Sequence, residues 1–285
     1  MLSVNTNISS LESNSQLDKS RKKSEQLLDQ LSSGTRLTSA SVDAANSAIS
    51  QTLEAQVRGQ NQAVNNAYDG VSMLQTADGA LSQLQSNSQQ IQDLAIQAGN
   101  GALSSANRQS LQQQVDQLTQ ANSAIVQSTT FNGTALLNGG NSQTFQIGAN
   151  GSSDNQLTVS TPNLSASAAS GGLSSYNSNL NATGTIDITT PANAVAAQSS
   201  ISNDLNALSN SRTQLGAASN QFEAAINNLQ NSSVNLQAAK SRISDTDFAA
   251  ALSQLTQQQI LGQAAVATQA QANVSARSAL SLLSG

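Results

Sequence analysis

The stretch "LGAASNQFEAAINNL", residues 215–229, places Leu215, Phe222 and Leu229 at seven-residue intervals. Apolar residues that repeat every seven positions are typical of a helix that packs against other helices along one narrow seam. The positions four residues further on are only partly apolar, because Arg212 and Lys240 are among their occupants. The repeat therefore predicts one long helix with a thin buried seam, whose members are Ile201, Leu208, Leu215, Phe222, Leu229, Leu236 and Ile243.

A helix over residues 201–243 needs partners. At a rise of about 1.5 Å per residue it would be roughly 65 Å long, which is more than the width of a small domain. Helical stability in proteins comes mostly from the packing of an apolar face and only weakly from intrinsic propensity. We therefore expect helices from elsewhere in the chain to cover the seam.

The composition is unusual for a globular enzyme. Charged residues make up only 9% and aromatic residues 2% of the 285 positions, whereas charged residues usually account for about 25%. Abundant Ser, Asn, Gln and Ala would indicate disorder if the periodicity were absent. Long packed helices reconcile these two observations.

Several classes of function are disfavoured by the same counts. With 11 basic and 16 acidic residues the net charge is -5, so a nucleic-acid partner has no basic footprint. The chain has no His and no Cys, which removes the usual ligands and nucleophiles of metal centres, catalytic triads and disulfide scaffolds. We therefore assign no catalytic residue, cofactor site or metal site. The apolar runs are too short for a membrane span, and "MLSVNTNISS" lacks the features of a cleaved secretory signal.

The chain divides into two arms and a short centre. Its two prolines, Pro162 and Pro191, bracket a middle rich in Ser, Gly and Asn. In the first arm, helical spacing over residues 57–98 is interrupted by "AGNGALSS" and begins again at residues 111–125, which predicts a helical hairpin.

The pattern changes after Thr130. The segments "FNGTALLNGGNSQTFQIGANG" and "QLTVST" combine turn dipeptides with alternating apolar residues, and they predict short antiparallel strands. "TIDITT", residues 185–190, predicts one more strand, and residues 163–184 are expected to form a loop.

Both ends of the chain carry weak apolar stripes with helical spacing. Few other residues in the chain could cover them, so we expect that terminal helices bury these stripes against other copies of the chain. The side chains assigned to this inter-subunit core are Val4, Ile8, Leu11, Leu28, Leu31, Phe248, Leu252, Leu255, Leu280 and Leu283.

Two smaller features have ordinary explanations. The basic cluster Lys19, Arg21, Lys22 and Lys23 is expected to be a solvated helix face, with pairing to a neighbouring subunit as the alternative. In "SDTDF", Asp245 and Asp247 precede a helical stripe and are expected to act as helix N-caps.

The chain resembles bacterial flagellin. In the first arm the resemblance rests on "VNTNISSL", "LSSGTRLTSASVDAANSAI", "QNQAVNNAYDGVSMLQTADGALSQL", "DLAIQAGNG", "TTFNGTALLNG" and "FQIGAN". In the second arm it rests on "LGAASNQFEAAINNL", "AAKSRISDTDFAAALSQLTQQQIL" and "ALSLLSG". These segments occur in the expected order and include both ends of the chain.

The resemblance implies a mainly α fold, a long helical rod or coiled coil built from the N- and C-terminal arms, with a small antiparallel β region between them. Residues 1–44 and 243–285 would form a terminal helical inner-core domain. Residues 45–160 and 192–242 would form a helical rod domain with β-hairpins. Residues 161–191 would be a short variable loop region in place of outer domains.

The resemblance also implies a function. The chain would be a structural subunit, with no enzymatic activity, that polymerises into the bacterial flagellar filament for swimming or swarming motility. Its partners would be other copies of itself, a flagellar export chaperone, the filament cap and hook-junction proteins, with no nucleic acid and no membrane. It would reach the outside of the cell through the flagellar type III pathway. The alternatives are a hook–filament junction protein and a secreted helical binding module.

A host partner is a further implication, because an animal innate receptor recognises some flagellins through the first-arm helices. Leu94 matches the pattern of recognised members, whereas Gln90 and Gln114 replace the arginine and glutamate that these members carry. Two charges are therefore missing from a charge-assisted contact. We expect weak recognition or none.

Alternative packings of the filament lattice would require a part of the subunit with two arrangements, either helices that slide or strands that switch. We expect the strand region from Phe131 to Val159 to be that part.

Overall fold

A computed structural model describes the backbone of residues 7–284 and the side chains of this range except those of residues 276, 277 and 279–284. Val4 and the side chains of Leu280 and Leu283 thus lie outside the described residues. Within this range the fold is mainly helical, which confirms the predicted fold class. Its helices are α1 (Ile8–Ser33), α2 (Ala44–Ala98), α3 (Ser105–Ser128), α4 (Pro191–Ser244) and α5 (Phe248–Ser284).

Helix ends follow the local sequence. Asn7 caps α1 by accepting a hydrogen bond from the Ser10 backbone N–H at 3.1 Å, and Gly34 ends that helix with a left-handed φ of 70°. The predicted break at "AGNGALSS" is confirmed, because α2 ends at Ala98 and α3 begins at Ser105. The guanidinium of Arg108 donates to the carbonyl oxygens of Ala98 and Asn100, both at 2.9 Å. Arg108 thus satisfies the Ala98 carbonyl, which the end of α2 leaves without a helical partner, and ties the loop at Asn100 to α3.

The predicted short antiparallel strands are also confirmed. They form two hairpins, in which β1 (Thr130–Phe131) pairs with β2 (Thr134–Ala135) and β3 (Ser142–Gln146) pairs with β4 (Gln156–Ser160). The first hairpin turns through Asn132 and Gly133, whose φ angles of 49° and 78° suit an Asn-Gly turn. In the second hairpin Phe145 lies opposite Leu157.

The strand predicted at residues 185–190 is wrong, because the backbone there is irregular. The side-chain amide of Gln112 on α3 donates to the Ile186 carbonyl at 2.7 Å and accepts from the Ile188 N–H at 2.7 Å. Ile186 and Ile188 are buried. One glutamine therefore replaces the neighbouring strand, and the alternating apolar residues pack on helices instead.

The chain forms two compact units, one of residues 1–56 with 234–285 and one of residues 57–233. The second unit contains two apolar clusters. The first cluster joins parts of α2 and α4 to side chains of both hairpins. Its members include Leu74, Leu81, Leu84, Leu208, Leu215 and Phe222. The second includes Ile91, Ala95, Val115, Ile188 and Ile201. The connection between β4 and α4 supplies buried side chains to both clusters, among them Leu164, Leu173, Ile186 and Ile188.

In the unit of residues 1–56 with 234–285, the described side chains form a much smaller apolar cluster. Leu27 on α1 packs with Ala251 and Leu255 on α5, and Leu31 is partly buried against them. Among the helices within residues 7–284, none has both the length and the apolar character needed to span a bilayer.

Candidate assembly surfaces

Where side chains are described, helices α1 and α5 pair through a small apolar cluster and several hydrogen bonds. The Ser20 hydroxyl donates to the Gln258 carbonyl at 2.8 Å, and the Gln269 amide donates to the Asn14 side chain at 2.7 Å. The Asn7 side chain donates to the Ala272 carbonyl at 3.1 Å. Polar contacts thus align the pair beside its apolar cluster of Leu27, Ala251 and Leu255.

The side chains predicted to lie between subunits fall into two groups. Leu31 and Leu255 contact Leu27 within the chain. The other described members are more than half exposed: Ile8 64%, Leu11 60%, Leu28 52%, Phe248 56% and Leu252 58%. Contact with other copies can therefore involve these five without disturbing the α1–α5 pair.

Helix α5 exposes further apolar residues beyond those assigned to the inter-subunit core. These are Ile260, Leu261, Val266 and Val274, at 60%, 45%, 51% and 54% exposure. Leu252, Thr256 and Ile260 are among the residues that line a shallow groove of about 690 Å³ along this helix. The sequence carried a signal for them, since apolar residues occur on every side of α5. A helix of this kind is usually covered on more than one face.

Charge is distributed unequally between the two terminal helices. In α5 the only charged residue is Arg277, whereas α1 carries the basic cluster of Lys19, Arg21, Lys22 and Lys23. All four basic residues are exposed. This placement fits the solvated helix face that the sequence predicts.

The segments that join the terminal helices to α2 and α4 are held together by a short bridge. The Arg36 N–H donates to the Ser244 carbonyl at 2.7 Å, and the Thr246 N–H donates to the Gly34 carbonyl at 3.0 Å. The Arg36 guanidinium donates to the Ile243 carbonyl at 2.8 Å, near the end of α4. These bonds fix where α1 ends relative to the break between α4 and α5.

Asp247 and Asp245 act differently. Asp247 caps α5 by accepting hydrogen bonds from the Ala249 and Ala250 N–H groups at 3.0 and 3.1 Å, as predicted. The N-cap prediction for Asp245 is wrong, because its carboxylate accepts from the hydroxyls of Ser241 and Ser244 at the end of α4. These hydrogen bonds, that of Ser241 first, lower the pKa of Asp245.

The seam predicted from the seven-residue repeat is buried over its first part. Ile201, Leu208, Leu215 and Phe222 are at most 2% exposed. The remaining members, Leu229, Leu236 and Ile243, are half-buried. Phe222 packs edge-to-face on Phe145 of β3, with ring centroids 5.3 Å apart and planes at 86°. The seam thus holds the second hairpin against the helices.

Between the two apolar clusters of residues 57–233 lies a buried polar layer, which the sequence argument missed. The Asn87 amide donates to Asn122 at 2.9 Å, and the Asn122 amide donates to the Ser175 hydroxyl at 3.3 Å. The Asp204 carboxylate accepts from the N–H groups of Ser174 and Ser175 at 2.7 and 3.0 Å. Side chains of α2, α3 and α4 therefore meet the β4–α4 connection in this layer.

Asp204 is only 1% exposed. Burial raises the pKa of its carboxyl group, although the backbone hydrogen bonds from Ser174 and Ser175 oppose the shift. With a folded pKa above the unfolded value of 3.8, its contribution to stability is greatest below pH 3.8 and declines as the pH rises through the folded pKa.

Replacing Asp204 by asparagine is expected to destabilise the protein. The amide group of asparagine cannot accept the second backbone N–H, and a buried donor without a partner costs about 1–3 kcal/mol. Urea unfolding at neutral pH measures the loss. As a control, Asn210→Asp on the exposed surface of α4 should change stability by less than about 0.5 kcal/mol. Equal stability of the Asp204 variant and the unmodified chain would contradict this account.

The three residues predicted for innate-receptor contact lie together. Gln90 and Leu94 of α2 and Gln114 of α3 line one shallow groove of about 480 Å³. Gln90 and Gln114 are exposed, and Leu94 is partly buried against the second apolar cluster. The groove is therefore reachable from solvent, and recognition through it stays a prediction.

Both arms of the chain match models of known protein families. The family model described as bacterial flagellin N-terminal helical region matches residues 4–142, and the one described as bacterial flagellin C-terminal helical region matches residues 199–283. A flagellin of Bacillus subtilis is 35% identical over 98% of this chain and 99% of its own length. The flagellar filament 30.7 kDa core protein of Treponema maltophilum is also 35% identical, over 99% of both chains.

Among solved structures, a crystal structure of Bacillus cereus flagellin aligns with 62% of this chain and 94% of its own, with a TM-score of 0.49 and 22% identity. The family models cover most of both arms, and the relatives align over nearly the whole chain. The chain therefore belongs to the bacterial flagellin family.

Proposed function

We propose that this chain polymerises into the flagellar filament through the apolar side chains that α1 and α5 expose. As a flagellin it is a structural subunit of the extracellular filament, and its contribution to motility is mechanical. The observation that carries the proposal is the exposure of Leu252 and Ile260, 58% and 60%, on a helix with one charged residue. Apolar surface of this kind is stabilised when other copies cover it.

The proposal assigns a different role to each part of the chain. Residues 1–44 and 243–285 would act as the terminal inner-core domain, to which the sequence also assigns Val4, Leu280 and Leu283. Residues 45–160 and 192–242 would act as the helical domain that carries the β-hairpins, and residues 161–191 would replace larger outer domains. The burial of the seam from Ile201 to Phe222 supports an intramolecular role for that part of α4.

Further partners belong to the proposal. Before polymerisation, an export chaperone would cover the exposed apolar surface of α5, and the flagellar type III pathway would carry the chain out of the cell. The filament cap would receive it, and hook-junction proteins would join the first copies to the hook. We propose that the chain catalyses no reaction.

A truncation experiment tests assembly. A chain that ends at Asp247 is expected to keep the helical circular-dichroism signal and cooperative unfolding of residues 57–233, and to add no length to filament seeds of the full chain. The full chain under the same conditions is the control. Elongation by the truncated chain at the normal rate would exclude the proposed role of α5.

The second candidate is a hook–filament junction protein, which also belongs to flagellar structures. It would form a short ring, whereas a filament subunit forms a long polymer. Electron microscopy of the purified chain seeded with filament fragments separates the two, because only the filament subunit gives filaments that lengthen with protein concentration.

Weak recognition by the innate receptor is a separate prediction. A cell reporter assay is expected to respond to this flagellin far less than to a recognised flagellin at equal concentration, because Gln90 and Gln114 supply no charge. The double variant Gln90→Arg with Gln114→Glu should raise the response, and Gln89→Arg is the matched control on a neighbouring exposed position. A full response to the unmodified chain would contradict the prediction.

A further inference from the structure

The seven-residue repeat of α4 defines the buried face of this helix, but it does not define the position of α4 along α2. The two helices run antiparallel, since Gln60 contacts Ser232 near one end and the Gln198 amide donates to the Ala95 carbonyl near the other. A shift of α4 by seven residues would move each leucine of the seam to the place of another apolar residue. A regular apolar repeat therefore fixes the buried face and leaves the register weakly defined.

Chain connectivity does not remove this ambiguity. Only residues 99–104 separate α2 from α3, so their register is set by a short loop. By contrast, residues 129–190 lie between α3 and α4. A connection of this length permits shifts of α4 by a heptad, which is about 10 Å at 1.5 Å per residue. At the other end of α4, the hydrogen bonds of Gly34 and Arg36 with Thr246 and Ser244 also restrain its position. Within residues 57–233 the register comes from side chains that match at one position only.

The first such match is between Phe222 and Gly70. Phe222 is the one aromatic residue of the seam, and its ring lies on the backbone of α2 where Gly70 has no side chain. A β-carbon on Gly70 would lie 2.7 Å from Phe222 Cε1, which is closer than atoms can pack. A shift by one heptad would bring Phe222 onto Ala77 or Ala63, both buried and both with a β-carbon.

The second match is between Asp204 and the polar layer. A heptad shift would move Asp204 to the place now held by Ala197 or Ser211, away from the Ser174 and Ser175 N–H groups that it accepts from. A buried carboxylate without donors is strongly disfavoured. The native register is the one in which this carboxylate is satisfied.

The third match is between Arg212 and Asp78. The guanidinium donates to both carboxylate oxygens at 2.8 and 3.3 Å, and it also donates to Gln85 at 3.0 Å. Both partners are partly exposed, so the pair adds less to register selection than the two buried matches.

We propose that Phe222 with Gly70, Asp204 with the Ser174–Ser175 turn, and Arg212 with Asp78 are positioning residues that set the register of α4 on α2. They add specificity to a seam whose other members are interchangeable. In a filament subunit this role matters, because a shifted α4 would displace every surface residue of the helix by one heptad.

The test moves the glycine that accommodates the Phe222 ring by one heptad, from position 70 to position 77 of α2. Because the chain has no cysteine, introduced cysteine pairs report the register by cross-linking with a short bifunctional thiol reagent, which spans the gap that the shorter cysteine side chains leave. Gln60→Cys with Ser232→Cys reports the native register, since Gln60 Nε2 and Ser232 Oγ are 2.9 Å apart across the two helices. Gln85→Cys with Ser219→Cys reports a shift that brings Phe222 to position 77, because Ser219 would then take the place of Arg212. Each pair is placed separately in a background of Asp78→Gln, Arg212→Gln and Asp204→Asn, in which Phe222 and Gly70 are the remaining match.

Three proteins are compared in that background. The background itself is expected to cross-link only through the native pair. The mismatched variant, Gly70→Ala with Ala77→Gly, is expected to cross-link through the shifted pair, at least about tenfold above the background, which corresponds to about 1.4 kcal/mol between registers. Adding Leu215→Phe and Phe222→Leu to it restores the match in the native register, so native cross-linking should return.

The outcomes separate register selection from simple packing. A folded mismatched variant that cross-links only through the native pair would overturn the proposal. Should the mismatched variant fail to fold, the compensated variant decides: recovery of its helical circular-dichroism signal supports matched positioning, and failure to recover overturns it.

Discussion

Replacing both Leu252 and Ile260 by aspartate is expected to abolish filament growth while leaving the monomer folded. Both side chains are more than half exposed, at 58% and 60%, so the monomer loses little when they change. In the polymer each apolar side chain would contribute about 1.5–3 kcal/mol on burial, and each aspartate would need to be desolvated. Since about 1.4 kcal/mol is a factor of ten in an equilibrium constant, the critical concentration should rise at least a hundredfold.

Seeded elongation followed by light scattering or electron microscopy measures this effect, and circular dichroism verifies that the monomer is folded. The matched control is Leu252→Met with Ile260→Met, which keeps apolar surface at the same positions and should elongate at close to the normal rate. Normal growth of the aspartate variant would show that this surface of α5 is not buried in the filament.

Replacing Phe222 by alanine is expected to give the largest loss of stability from a single substitution. The ring is 0% exposed, and it contacts Phe145 of the second hairpin and the backbone at Gly70. Removing a fully buried phenylalanine typically costs about 3–5 kcal/mol, because the cavity collapses only in part. Urea or thermal unfolding of the purified monomer measures the difference.

Tyr68 provides the matched control for this prediction. It is an aromatic residue of α2 that is 51% exposed. Its replacement by alanine should change the unfolding free energy by less than about 0.5 kcal/mol. Similar losses in the Phe222 and Tyr68 variants would mean that the edge-to-face packing under the hairpin adds little to stability.

The strand region from Phe131 to Val159 stays our prediction for the part of the subunit that has two arrangements. Its second hairpin is attached to the helices through few large side chains, among which Phe145 packs on Phe222. The helices beside it are connected by the polar layer and by matched side chains. A rearrangement of the hairpin would therefore disturb fewer buried polar groups than a shift of α4.

The sequence predicted the helical part well because its signals are local and periodic. The break between α2 and α3 carries its own glycine and asparagine residues, and the seam of α4 repeats every seven residues. The strand prediction at residues 185–190 failed because alternation of Ile186 and Ile188 cannot reveal which partner satisfies the backbone. Gln112, more than seventy positions away in the chain, supplies the two hydrogen bonds.

The apolar residues that α1 and α5 expose were predictable only in outline. Apolar spacing at both ends identified Ile8, Leu11, Phe248 and Leu252, but it could not separate these from Leu255, which is covered by Leu27 within the chain. Which side of α5 faces α1 depends on polar contacts such as the one between Ser20 and Gln258. Contacts of this kind have no periodic signature.

By itself the sequence determined that the chain forms long helices, that short hairpins lie between them, and which face of α4 is buried, because apolar periodicity and turn residues act over a few positions. Tertiary structure alone decided the register of α4 on α2 and the choice between covered and exposed apolar residues on α5. Those properties depend on single matched pairs far apart in the chain, such as Phe222 with Gly70.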